Sequence, residues 1–141
     1  MSGAVFVDTP ILIYAHDTDA GPKRARAEAV LRELWASGAG RLSVQVLQEF
    51  YANATRKLAT PVAQSFAREV VSSYGAWVRE PTTPNTVTRA IDVAAMSQIS
   101  FWDALIVAAA EQADAAEIYS EDLNAGQAIA GIRIRNPFSG R

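Results

Sequence analysis

The sequence predicts a single α/β domain in which a parallel sheet is covered by helices on both faces. Three observations carry that expectation. Short runs rich in β-branched and aromatic residues, such as Ala4-Val5-Phe6-Val7, have no polar face, which suits strands buried on both sides. They alternate with longer stretches whose apolar residues recur every three to four positions, the helical period. No repeat, low-complexity tract or linker interrupts the 141 residues, a length ordinary for one domain.

The first strand stops at Asp8. Thr9 is suited to cap the following helix and Pro10 to open it, because its missing N–H has no helical partner there. This helix is expected from Pro10 to Ala15 or His16, followed by a polar loop as far as Gly21. Pro22 starts a second helix with Ala25, Ala29, Val30 and Leu34 inward, and Lys23, Arg24, Arg26, Arg32 and Glu33 outward, closed by Gly38 and Gly40. Leu42-Ser43-Val44 reads as the second strand. Val46, Phe50, Ala54 and Leu58 define a third helix that ends at Thr60-Pro61. A fourth, from Val62 to Tyr74, is expected to bury Phe66, Val70 and Val71, with Trp77-Val78 as a brief strand before the Pro81 to Pro84 turn. A fifth runs from Asn85 to Gln98 with Val87, Ile91, Ala94 and Ala95 inward. Ser100 can cap the sixth, Phe101 to Ala113, whose alanines favour helix. Glu117 to Ser120 and Ile132 to Ile134 complete the strands.

Composition narrows the chemistry. Without cysteine there is no disulfide, zinc–thiolate site or thiol nucleophile, and one histidine excludes a multi-histidine metal site. A net charge of −2 does not suit a general nucleic-acid coat, but allows an enzyme with a local basic groove. No apolar run approaches the ~20 residues of a membrane span, and an acid so near the start does not suit a signal peptide. A cytoplasmic protein without membrane contact is the expectation.

Four acids stand where chemistry could be carried. Asp8 ends a buried strand, at the carboxyl edge where open α/β sheets bind ligands. Glu49 borders the apolar stripe of the third helix, Asp103 lies in the first turn of the sixth, and Asp122 directly follows a strand. Each has a plain structural explanation. Asp8 can simply end a strand, Glu49 can be solvated, Asp122 can form a turn, and Ser100-x-x-Asp103 can be a capping box. Together they differ, because helices of a parallel sheet start near the edge where its strands end. Carboxylates gathered within ~4–6 Å repel one another unless a cation joins them, and an all-oxygen set suits Mg²⁺ or Mn²⁺.

Val-Phe-Val-Asp8-Thr9, Gln48-Glu49-Phe50, Ser100-Phe101-Trp102-Asp103-Ala104 and Ser120-Glu121-Asp122-Leu123, in this order, resemble the PIN-domain ribonucleases, and among them the VapC-type toxins of toxin–antitoxin modules. The resemblance spans essentially the whole chain. It implies a three-layer α/β/α domain with about five central strands, and Mg²⁺- or Mn²⁺-dependent endonucleolytic cleavage of RNA in a homodimer. It further implies that Asp8 and Asp103 are the main metal ligands, completed by Glu49 and Asp122. Thr9, Ser120 and Asn124 would support the site, Asn53 could reach substrate, and a cognate antitoxin would be the protein partner. Pro10 departs from the Asn or Ser the family often carries there, so any orienting hydrogen bond from that position is absent. His16 is expected to be a loop residue outside the chemistry.

Two other readings stand beside this one. A catalytically weak or inactive PIN-like domain that binds RNA or protein keeps the fold, and the presence of all four acids counts against it. Phosphotransfer through an aspartate would need a second acid where Pro10 stands or a lysine after a late strand, and the sequence has neither. The basic groups Lys23-Arg24-Arg26, Arg56-Lys57 and Arg133-Arg135 could be solvated or could contact phosphate, and the sequence does not rank them.

Overall fold

A computed structural model describes residues 3–139. Along the chain run β1 (Ala4–Val7), α1 (Thr9–Ala15), α2 (Pro22–Ser37), β2 (Gly40–Arg41), α3 (Val44–Ala54), α4 (Gln64–Tyr74), a 3₁₀ turn (Gly75–Trp77), α5 (Pro84–Ser97), α6 (Phe101–Gln112), β3 (Ala115–Tyr119), β4 (Ala128–Ile129) and β5 (Ile132–Arg135). The five strands form one sheet in the order β2-β1-β3-β5-β4, with helices on both faces. This is the three-layer α/β/α domain expected. The contacts β2–β1, β1–β3 and β3–β5 are parallel, so β1, β3 and β5 end at one common edge.

Side-chain alternation sorts the two faces. Phe6, Ile118 and Ile134 lie in register and are buried, on the face where α6 meets β3 and β5. On β5 the alternate residues Arg133 and Arg135 are exposed on the opposite face. Helix α6 is buried all round from Ala104 to Ala110, as a helix packed between a sheet and another helix must be.

Several boundaries differ from the sequence reading, each for a local reason. The second strand is Gly40–Arg41, because Ser43 already takes the extended conformation that precedes α3 and Val44 opens that helix. Gly40 is required where it stands: a Cβ there would lie 2.5 Å from the Trp77 ring. Trp77-Val78 forms no strand but joins the core through one bond, from the Leu42 N–H to the Trp77 carbonyl (3.0 Å). Helix α3 stops at Ala54, four residues short of Leu58.

Three helices also turn different faces inward. On α2 the buried residues are Ala27, Val30, Leu31 and Leu34, with Ala25 exposed. On α4, Ala67, Val70 and Tyr74 are buried while Phe66 is 51% exposed. On α5, Thr86, Ala90 and Val93 face the core, where small side chains let α6 approach closely, and Val87, Ile91 and Ala95 face outward. The sheet is also not wholly parallel. β4 pairs antiparallel with β5 through the two-residue turn Ala130-Gly131, whose positive φ angles (52° and 79°) fit a tight hairpin connection.

Candidate active site

Because β1 and β3 are parallel and adjacent, the residues after them emerge side by side. Asp8 follows β1 and Ser120 follows β3. The Asp8 carboxylate caps α1, and not Thr9 as the sequence suggested: it accepts a hydrogen bond from the Thr9 N–H (2.8 Å). Its other oxygen accepts from the Ser120 hydroxyl (2.8 Å), so both oxygens are fixed on a buried side chain. The Ser120 hydroxyl in turn accepts from the backbone N–H groups of Asp122 and Leu123 (3.1 Å each), which orders the loop carrying Asp122. One fully buried hydroxyl thus uses its donor and both lone pairs to tie two of the four acids together.

The helices bring the other two. Freed from capping, the Thr9 hydroxyl donates to Glu49 on α3 (2.6 Å). The other Glu49 oxygen accepts from Gln45 Nε2 (3.1 Å), which also reaches the Trp102 carbonyl at the start of α6 (3.2 Å). Gln45 therefore clamps α3 to the first turn of α6, where Asp103 sits. Ser100 caps that turn by accepting from the Asp103 N–H (3.1 Å). Among the described residues the Asp103 carboxylate returns no bond to Ser100, so only half of a capping box forms and the carboxylate stays available.

Asp8, Glu49, Asp103 and Asp122 line one pocket of about 280 Å³, together with Thr9, Pro10, Gln45 and Asn53. Asn124 is exposed and outside this lining. His16 ends α1, its ring against Phe50 and Phe66, away from the pocket. Gln45 is the residue that sequence reasoning missed. The available signal was its place one turn before Glu49, where an amide and a carboxylate meet on one helix face.

The electrostatics are those of acids without a counterion. Burial pushes the Asp8 pKa up to about 7; hydrogen bonds from Ser120 and Thr9 oppose the rise, and Asp122 and Asp103 add to it. Asp122 is also raised, by partial burial and then by Asp103, Glu121 and Glu49. The pocket is rich in acceptors and poor in donors, since Gln45 Oε1 is buried without a hydrogen-bond partner among the described residues. A hydrated divalent cation supplies what the lining lacks: positive charge for the carboxylates and water donors for the amide oxygen. The residues present therefore fit such an ion, although no three acids among the described residues already stand as a closed cage.

Comparison with known proteins bears on the fold and the family. The family model of the PIN domain matches residues 5–128. Among solved structures, the crystal structure of Mycobacterium tuberculosis VapC20, a toxin that cleaves the sarcin–ricin loop, is similar over 92% of this chain and 99% of that one. The TM-score is 0.64 and the identity 20%, a likeness of fold. No curated protein sequence matches the chain.

Proposed function

The chain belongs to the PIN-domain family, and on that premise we propose that it is a divalent-metal-dependent endoribonuclease acting as the toxin of a toxin–antitoxin pair. The observation that carries this reading is the convergence of four carboxylates from β1, α3, α6 and the loop after β3 on one pocket. Mg²⁺, or Mn²⁺ in its place, would be held chiefly by Asp8 and Asp103. Glu49 and Asp122 would complete the set directly or through water. When bound, such an ion lowers the pKa of a coordinated water and offsets charge on a phosphodiester oxygen.

The protein's own part is positioning. Ser120 and the Thr9 N–H hold the Asp8 carboxylate, and Gln45 and Thr9 hold Glu49. Buried hydrogen bonds of this kind keep first-contact groups in place without cost at the moment of reaction. Asp122 and Asp103, the less constrained acids, can adjust as substrate enters. RNA as substrate, an antitoxin as partner, assembly as a homodimer and action in the cytoplasm all follow from the family reading, and VapC20 offers a parallel as an RNA-cleaving toxin.

A second reading, a PIN-like domain that binds without cutting, draws on the open spacing of the acids. Calorimetric titration with Mn²⁺ separates the two. The nuclease reading expects saturable binding that Asp103→Asn weakens, whereas heat no greater than dilution favours the binding-only domain.

A further inference from the structure

The structure brings together two basic groups that lie over a hundred residues apart. Lys23 and Arg26, in the first turns of α2, meet Arg133 and Arg135, on β5, around a cavity of about 760 Å³. Its lining holds these four cations and no carboxylate, in a chain whose net charge is −2. Two of the four cations are anchored from behind. Lys23 pairs with Glu121 and lies over the Tyr14 and Phe138 rings, and Arg135 pairs with Glu117 (3.8 Å). Arg26 is positioned by donating from Nε to the Pro137 carbonyl (2.9 Å), and its terminal nitrogens have no partner among the described residues. The Arg133 side chain makes no hydrogen bond or ion pair among the described residues.

The cavity also adjoins the acids through the backbone. Glu121, which holds Lys23, directly precedes Asp122. The Ser120 N–H donates to the Arg135 carbonyl (3.0 Å), and the Ser120 hydroxyl donates to Asp8. Asp8, Ser120 and Arg135 thus end three neighbouring strands at one edge, a span of about 10 Å at the usual strand spacing. The loop running on from Asp122 reaches the cavity at Ala125 and Gly126. A polyanion whose reacting phosphodiester lay among the acids would meet the cations next along its backbone.

We propose that this cavity binds the phosphate backbone of the single-stranded RNA segment next to the bond that is cut, with Arg26 and Arg133 as its principal phosphate contacts. The assignment rests on the RNA-cleaving reading above and extends it to substrate positioning. Cation–phosphate contacts release counterions, so each one lost from a single strand lowers the salt slope of binding by about 0.7.

The test is fluorescence anisotropy of a labelled mixed-sequence single-stranded RNA in EDTA, where no cutting occurs, across a series of KCl concentrations. Cleavage with Mn²⁺ is measured separately. Arg26→Gln/Arg133→Gln is expected to bind more weakly, with the slope of log K against log salt reduced by about 1.4. Arg133→Gln alone, which disturbs no bond in the fold, is expected to lose about 0.7, and Arg68→Gln on α4 nothing. A wild type that binds RNA this way but never cuts would sink the nuclease reading and leave the cavity assigned. If the wild type cuts RNA while both variants keep its affinity and slope, the cavity assignment fails and the nuclease stands. Loss of binding to polyglutamate with RNA binding unchanged would assign the cavity to an acidic polypeptide and overturn the proposal.

Discussion

Replacing Asp8 by Asn is expected to change from nearly neutral for stability at pH 5 to clearly stabilising at pH 8. Asp8 is 4% exposed, and its pKa rises from an ordinary 3.8 to about 7. Between those values the folded protein holds a proton that the unfolded chain has already released. Stability therefore falls as pH rises through this window and levels off above it. The interval corresponds to about 4 kcal/mol in full, about 3 of which lies between pH 5 and pH 8. Asn cannot ionise and avoids that loss. It can still accept from the Thr9 N–H, but its amide would face a Ser120 hydroxyl whose lone pairs are already taken by Asp122 and Leu123. That mismatch costs about 1–2 kcal/mol at every pH.

The variant should then lie within about 1 kcal/mol of wild type at pH 5, and be more stable by about 2–3 kcal/mol at pH 8. Guanidinium unfolding in EDTA, followed by tryptophan fluorescence, measures both, and the difference between the two proteins cancels groups that titrate alike. Saturating Mn²⁺ at pH 8 should restore about 3 kcal/mol to the wild type, the linkage expected at a hundredfold excess over the dissociation constant, and much less to the variant. A difference that is the same at pH 5 and pH 8 would show that Asp8 ionises normally in the fold, and the account of electrostatic strain would be refuted.

Ser120→Ala removes one donated and two accepted hydrogen bonds from a fully buried site. It should destabilise the protein by about 2–4 kcal/mol and, by withdrawing a bond that favours the Asp8 carboxylate, shift the acid limb of the cleavage profile to higher pH. A pH–rate profile with an unmoved acid limb would count against that link. Gly40→Ala, whose new methyl would meet the Trp77 ring, should cost about 1–3 kcal/mol by thermal unfolding, and an unchanged Tm would mean that the ring moves aside freely. Gln45→Leu should leave the fold in place, as judged by circular dichroism, yet slow cleavage by loosening Glu49; an unaltered kcat would remove Gln45 from the positioning role.

The layers and the sheet edge were legible because they rest on long-range regularities: apolar strands alternating with periodic helices, and acids at strand ends and helix starts. What sequence could not supply is contact detail. The inward face of α5 was misplaced because Thr86 and Ala90, small enough to let α6 approach, outweigh the larger Val87 and Ile91, which stay exposed. The hairpin β4–β5 was hidden because its turn is Ala130-Gly131 rather than a strong signal such as Asn-Gly. At the site, four acids could be named from their positions, but not that Asp8 rather than Thr9 caps α1, nor that Thr9 is thereby free to hold Glu49. Gln45 was missed because its value lies in reaching Trp102, fifty-seven residues away. The two basic groups around the cavity could not be ranked until β5 and α2 stood side by side.

The most direct test is cleavage of total RNA by purified wild type and by Asp103→Asn, with Mn²⁺ and with EDTA. Asp103 is the acid to change because its carboxylate makes no bond within the described fold, so its loss should spare stability. Metal-dependent cutting by the wild type, with none by a normally folded Asp103→Asn, is the result predicted. Cutting that persists at the wild-type rate in EDTA or in the variant would contradict the central claim.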